Sequence, residues 1–277
     1  MNKIKYCFLL LLLSSFYYSQ KISGIILNEN GEPIYGVRVG IENNDNGDYS
    51  DRNGQFTLDI TNVNQNENLK VYESGYQLYE TKISNFLKSN KHISLKERII
   101  DIEPVVINPK KYKLKNYGTS NSKSAYASYD SENKGKFFRE YAIKVENTKR
   151  LKIKNINVNI ISSNFDKTAT LYFDIQNSKN GLPDDSQSLS NEKLQLTFSA
   201  KDITNKKVTL NVSDKNIWTD KDFFVTVRVN EDFKGVLQLG GNIFALFKDT
   251  YYRSYFGEWT KYSGGEPSIN VDVLVEK

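Results

Sequence analysis

Short apolar runs at every second position dominate the chain. Lys21–Leu27 is the first. Val37, Val39 and Ile41 share one face of the next, and Phe56, Leu58 and Ile60 share one face of a third. Leu69–Glu73, Leu78–Ile83, Ile93–Leu95 and Val105–Ile107 follow. A period of two is the mark of a half-buried strand. Turn residues separate the runs: Asn28–Pro33, the polar stretch Asn43–Asp48, and the corner Gly75-Tyr76. One helical turn fits near Ser84–Lys88. Seven short strands at this spacing predict a small immunoglobulin-like β-sandwich.

The same period returns after residue 136. Leu151–Ile161 alternates but changes phase between Ile153 and Ile156, as a bulged strand does. Ala169, Leu171, Phe173 and Ile175 share a face, as do Leu194, Leu196 and Phe198, and Val208, Leu210 and Val212. Phe223, Val225, Val227 and Val229 form another set, followed by Val236–Leu239, Ile243–Phe247, and Ile269, Val271, Val273 and Val275. These predict a larger antiparallel, jelly-roll-like sandwich over 136–277. Trp218 is expected to plug its core. Residues 108–135 are rich in Lys, Asn, Ser and Gly with little period, and read as a linker. The expected fold class is therefore all-β in two units.

The N-terminus differs. Lys3 and Lys5 precede the apolar run Phe8–Leu13, and Ser14, Ser15 and Ser19 follow it. This is the pattern of a secretory signal peptide over residues 1–19, with cleavage near Ser19/Gln20 and the first sandwich at 20–107. No later run is long enough for a transmembrane helix. The one Cys, Cys7, lies within the leader, so the mature chain has no disulfide, thiol nucleophile or cysteine-ligated metal. An exported, cysteine-free chain points to a bacterial periplasm, outer membrane or cell surface.

Charge adds little. The formal net charge is +5 with 26% charged residues, a mixed solvated surface. The densest basic run, Pro109–Lys115, is short, and no nucleic-acid partner is expected.

Four motifs occur in order: Ser23-Gly24; Gly31-Glu32-Pro33-Ile34-Tyr35-Gly36; Ser50-Asp51-Arg52-Asn53-Gly54-Gln55-Phe56; and Gly75-Tyr76. Together they resemble the carboxypeptidase-regulatory-like domain, a transthyretin-like sandwich frequent in exported proteins of the Bacteroidetes. Ser50 stands where that family usually has Thr. The resemblance implies an accessory, non-catalytic module. Ile102–Ile107 is similar to the segment leading into the plug of TonB-dependent transporters, but too few residues follow for a plug and barrel. The region beyond loosely resembles the uncharacterised C-terminal part of some such proteins and brings no activity with it. In the motif, Gly54 is expected at positive φ in a hairpin turn, Asp51 to accept backbone N–H groups, Phe56 to fill the core and Pro33 to fix the second strand. Gly31, Gly36, Gly75 and Tyr76 are likewise read as scaffold.

Catalytic chemistry finds few carriers. The single His, His92, cannot supply the two imidazoles of a carboxypeptidase-type zinc site, and no Gly-x-Ser-x-Gly elbow or phosphate-binding glycine loop is present. Asn43–Asp48 with Asp51 clusters oxygen ligands but lacks the closing Glu of a calcium loop. Neither a cofactor nor a metal is expected, and the chain is read as no enzyme. The strongest positive signal is Tyr251-Tyr252-Arg253-Ser254-Tyr255-Phe256-Gly257-Glu258-Trp259. Tyr251, Tyr252, Arg253, Tyr255 and Trp259 are the residue types of a protein interface, or alternatively of a glycan-stacking site. The expected function is an exported interaction or structural module with an envelope or outer-membrane protein as partner; the alternative is a carbohydrate-binding module.

Overall fold

A computed structural model describes residues 20–100, 111–121, 123–133, 138–242, 249–262 and 265–277. Residues 1–19, expected to be a leader, the run Val105–Ile107 and the run Ile243–Phe247 lie outside the described residues. The protein is mostly β.

The first unit comprises β1 (Lys21–Leu27), β2 (Arg38–Ile41), β3 (Gly47–Tyr49), β4 (Gln55–Asp59), β5 (Asn68–Tyr72), β6 (Tyr79–Lys82), helix α1 (Ile83–Lys88) and β7 (His92–Ser94). A three-stranded sheet, β4-β1-β7, faces a four-stranded sheet, β3-β2-β5-β6. Alternation builds the core: Ile22 and Ile26, Val39 and Ile41, Phe56 and Leu58, and Leu69 and Val71 point inward, with Ile83 and Phe86 of α1 at its edge. The strand β3 falls in the stretch expected as a polar loop. It is three residues long and pairs only with β2, so backbone bonds rather than apolar side chains define it.

The turn before β4 is held by one carboxylate. Asp51 Oδ1 accepts the N–H groups of Asn53 and Gln55, both at 2.8 Å. Gly54 follows at φ +73°, and a Cβ there would lie 2.4 Å from the carbonyl oxygen of Ile26. Only glycine fits.

The second unit begins earlier than the apolar pattern implies. β8 (Tyr112–Gly118) and β9 (Ala125–Asp130), read from sequence as linker, pair with β22 (Ile269–Glu276) and β18 (Val236–Asn242). β8 is the edge of its sheet, where side chains face solvent and polar residues suffice. Between these lie β10 (Arg139–Val145), β11 (Leu151–Asn164), β12 (Ala169–Lys179), β13 (Leu182–Ser188), β14 (Leu194–Phe198), β15 (Lys207–Asn211), β16 (Trp218–Thr219) and β17 (Phe223–Val229). β19 (Thr250–Ser254), β20 (Thr260–Lys261) and β21 (Glu266–Pro267) complete the set.

They form two sheets around one core. The first runs β13-β12-β17-β10-β19-β20, with β14 also on β12. The second runs β21-β18-β11-β22-β8, with β15 and β16 on β11 and β9 on β18. Ile143, Leu171, Phe173, Val225 and Val227 of the first sheet meet Ile153, Ile156, Val158, Val271 and Val273 of the second. The phase change in β11 is a bulge: Ile153 pairs with Val273 but Asn155 with Asp272, leaving Lys154 extra. Trp218, expected in the core, is half-exposed instead; its neighbour Ile217 is the buried one, at 1% exposure.

Candidate functional site

β17 is buried at all seven positions, although a strand in a two-layer sandwich needs only one buried face. Phe223, Val225, Val227 and Val229 face the core. Phe224, Thr226 and Arg228 point the other way and are buried as well. β12 repeats this with Tyr172, Asp174 and Gln176, and β10 with Glu140 and Ala142. Their cover is the first unit. The outer face of its β3-β2-β5 sheet, carrying Arg38, Tyr49 and Tyr72, lies against this outer face, so the two sandwiches stack sheet on sheet.

Ionic groups form the centre of the junction. Arg38 donates to Glu140 through one guanidinium nitrogen and to Asp185 Oδ1, at 2.6 Å, through the other. Arg253 donates to the same two carboxylates, at 2.8 and 2.7 Å. Two arginines and two carboxylates thus alternate in a closed ring, each at most 7% exposed. Cross-strand pairing of β10 with β19 sets Glu140 opposite Arg253, and Arg38 of the first unit closes the ring. Burial alone raises a carboxyl pKa, but the Arg253 and Arg38 charges outweigh it and hold Asp185 well below the usual range. Glu140 is lowered by the same two guanidiniums.

Two further bonds flank the ring. Tyr72 of β5 donates its hydroxyl to Asp174 Oδ2, and Ser188 and Gln176 donate to the same carboxyl, at 2.6 and 2.8 Å. No cation bonds Asp174 among the described residues. Burial dominates there and pushes its pKa up to about 6 despite the three donors. On the other side Arg228 donates to Glu73 at 2.6 Å and to the carbonyl of Gly36 at 2.7 Å, and its guanidinium lies 4.2 Å from the Tyr172 ring and 4.5 Å from the Tyr49 ring. Lys193 donates to the Tyr35 carbonyl at 2.7 Å. A cavity of about 20 Å³, room for one water, lies between the two ionic groups and is lined by Arg38, Glu73, Glu140, Asp174 and Arg228.

The hairpin after β19 is the second unit's reach into the first. Tyr255 adopts φ +49°, rare for a non-glycine residue, which turns the chain tightly. Its ring packs on Tyr49 and Phe138, both at 5.3 Å between centroids. Phe256 lies over Arg38 at 4.5 Å, and its carbonyl accepts the N–H of Asn43 at 2.9 Å. Trp259 stacks on Arg253 at 4.1 Å. Of the five aromatic-run residues singled out from sequence, Arg253 and Tyr255 are thus buried in the junction. Tyr251, Tyr252 and Trp259 are half-buried. Tyr251 meets Phe224 edge-on, and Tyr252 lies under Arg139 at 4.4 Å. A cleft of about 360 Å³ opens beside the ring between Lys70, Asp184, Glu258 and Trp259.

Two of the motif glycines, Gly36 and Gly75, lie at this contact. Gly75, at φ +87°, approaches the backbone of Glu192 so closely that a Cβ would lie 2.6 Å from its carbonyl carbon. Next to it, Ser74 Oγ accepts the N–H of Leu194 at 3.1 Å. Tyr76 is half-buried against the first unit's core, and its carbonyl accepts from Arg98, which also bonds the carbonyls of Asp185 and Ser186. The polar stretch Asn43–Asp48 is satisfied locally: Asn44 Oδ1 accepts the N–H of Asn46, and Asp48 Oδ2 that of Thr57. Among the described residues no group of three or more His, Cys, Asp or Glu is placed to hold a metal. His92 is exposed on β7.

Sequence reasoning missed Arg38, Glu73, Glu140, Asp174, Asp185 and Arg228 as a set. For Arg38, Glu140, Asp174 and Arg228 the signal is a charged residue inside a strand with apolar neighbours, as in Phe223–Val229; Glu73 and Asp185 lack it. Each of these groups has at least one partner in the other unit, at a separation no local pattern shows.

Residues 22–107 match the CarboxypepD_reg-like domain family, and that segment is such a domain. No curated protein matches the chain. Among solved structures, the streptococcal ancillary pilin shares 7% identity at a TM-score of 0.19, over 91% of this chain and 58% of its own length. BcpA, the major pilin subunit of Bacillus cereus, shares 10% at 0.17, over 90% and 68%. The chain therefore spans 58% of the ancillary pilin. Likenesses at these scores carry no argument about fold or function.

Proposed function

We propose that this is a non-catalytic, exported protein of a bacterial envelope, acting as a rigid interaction or structural module for an envelope or outer-membrane partner. One observation carries the reading. Six buried ionisable groups of the junction are bonded to one another: Arg38 with Glu140 and Asp185, and Arg228 with Glu73, across the two units, and Arg253 with Glu140 and Asp185 within the second. Such an arrangement fixes the relative placement of two β units. The leader-like N-terminus supports export, and the regulatory-like domain supports an accessory role. A rigid pair of sandwiches presents a preformed surface and loses little freedom on docking.

The test is affinity capture of the tagged chain from crosslinked, detergent-solubilised envelopes, read by mass spectrometry. A stoichiometric envelope protein is the expected result. Recovery of the chain alone, at every crosslinker dose, would overturn the reading.

A further inference from the structure

β8 ends one side of the sheet β21-β18-β11-β22-β8. Its register on β22 runs from Tyr112 opposite Glu276 to Gly118 opposite Asn270. Just beyond the two ends, the Lys277 N–H donates to the Lys111 carbonyl at 2.8 Å, and the Thr119 N–H to the Ile269 carbonyl at 3.0 Å. Bonded pairs alternate along an antiparallel ladder, so Lys113, Lys115 and Tyr117 direct their backbone groups to β22. The N–H and C=O groups of Tyr112, Leu114 and Asn116 therefore point away from the sheet. Among the described residues no strand pairs with them.

The side chains of this edge divide by face. Lys113 and Lys115 stand opposite Val275 and Val273 of β22, and Lys111 precedes them at the same period. All three lysines are exposed at the rim, and none forms an ion pair with a carboxylate among the described residues. The other face carries Tyr112, half-buried, and Leu114, 69% exposed. The carboxylates of β22, Glu276 and Asp272, stand opposite Tyr112 and Asn116 on that second face, away from the lysines.

We infer that the outer edge of β8 docks an extended segment of a partner protein, added as a further strand, in which acidic residues alternate with apolar ones; this rests on the reading of the chain as an interaction module. Unpaired N–H and C=O groups in a row are a template for strand addition. Side chains then select the strand. Successive residues of the incoming segment alternate between faces, so its acidic residues lie beside Lys113 and Lys115 and its apolar ones beside Tyr112 and Leu114. Edge lysines discourage apolar or basic strands, and an acidic strand turns them into partners. A second copy of β8 fits less well. In the antiparallel register that overlaps the whole strand Lys115 meets its own counterpart, and in the parallel in-register pairing both Lys113 and Lys115 do.

The test is a fluorescence-anisotropy titration of the full chain with a labelled decapeptide in which glutamate alternates with valine. Peptides alternating lysine with valine, and glutamate with proline, are the other arms. Binding of the glutamate–valine peptide alone is the expected result. Hydrogen exchange in the bound protein slows at the amides of Tyr112, Leu114 and Asn116, while those of Lys113 and Lys115, already bonded to β22, change little. Leu114→Pro removes one outward N–H and leaves the bonds to β22 in place, as an edge strand tolerates. It weakens binding about five- to tenfold, the loss of one ladder bond. Lys113→Glu with Lys115→Glu weakens it about tenfold and admits the lysine–valine peptide instead. No binding of the glutamate–valine peptide, equal binding of the glutamate–proline peptide, which carries the charge but cannot extend a sheet, or a Leu114→Pro protein that binds like the wild type would each overturn the inference. Envelope capture separates this from the broader reading. Recovery of the chain alone overturns the interaction module, whereas an envelope protein retained equally by the Leu114→Pro variant overturns only the β8 edge.

Discussion

Arg38 of the first sandwich and Asp185 of the second stand 2.6 Å apart, both almost without solvent exposure, and each is also tied to a second ion of opposite charge. Separating the two units would strip both carboxylates from Arg38 and leave Glu140 and Asp185 with Arg253 alone. The junction is therefore an interior, and its charges behave as buried pairs.

Arg38→Met leaves Glu140 and Asp185 with one guanidinium between them. Removing one partner of a buried ionic group costs on the order of 3–5 kcal/mol. The expected outcome is a loss of that size in urea unfolding. A loss below about 1 kcal/mol, the range of exposed pairs, would show the ring to be solvated.

Gly75→Ala adds a methyl where the backbone has φ +87° and where Glu192 already stands within 2.6 Å of the ideal Cβ. Gly31→Ala meets the same kind of φ, +81°, but open space. Both pay conformational strain of about 1 kcal/mol. Only the first also pushes the units apart. Thermal melts should show the Gly75 variant clearly less stable than the Gly31 variant; equal melting temperatures would mean the close approach is absent.

Much of the architecture is legible in the chain. The period-two sets Phe56-Leu58-Ile60 and Val225-Val227-Val229 are the core faces of real strands, because water excludes those side chains wherever the chain runs. β9 puts Ala127 and Tyr129 into the core, but its short alternation is lost among the polar residues around it. The edge strands β3 and β8 are not legible. Their register is set by backbone hydrogen bonds, to which exposed polar side chains such as the Lys and Asn of β8 are indifferent. The junction is equally hidden. Arg38 between Val37 and Val39 has the pattern of a solvated outward residue, and only the second unit's arrival buries it. Trp218 shows the reverse error: a large aromatic beside Ile217 reads as core, but the pleat sends the two to opposite faces.

Asp174 sets a pH dependence. Its carboxyl titrates at about 6 in the folded protein, above the ordinary value near 3.8, because burial outweighs its hydrogen bonds. The folded state therefore holds this proton more tightly, and stability falls as pH rises from about 4 to about 6, by on the order of 2–3 kcal/mol for a shift of this size. Asp185 and Glu140 act oppositely, since their lowered values give stability that is lost as pH falls below the ordinary carboxylate range. Urea midpoints across this range should decline for the wild type and flatten for Asp174→Asn. An unchanged slope in the variant would place the titration elsewhere.

The central claim is that the two sandwiches form one rigid body. Hydrogen exchange at the β10–β17 amides reports the second unit. Hydrogen exchange at the β1–β4 amides reports the first unit. Followed together through a urea series, the account predicts one shared free energy of opening in the wild type, separating into two in Arg38→Met. A first unit that already opens at a lower free energy than the second in the wild type would contradict it.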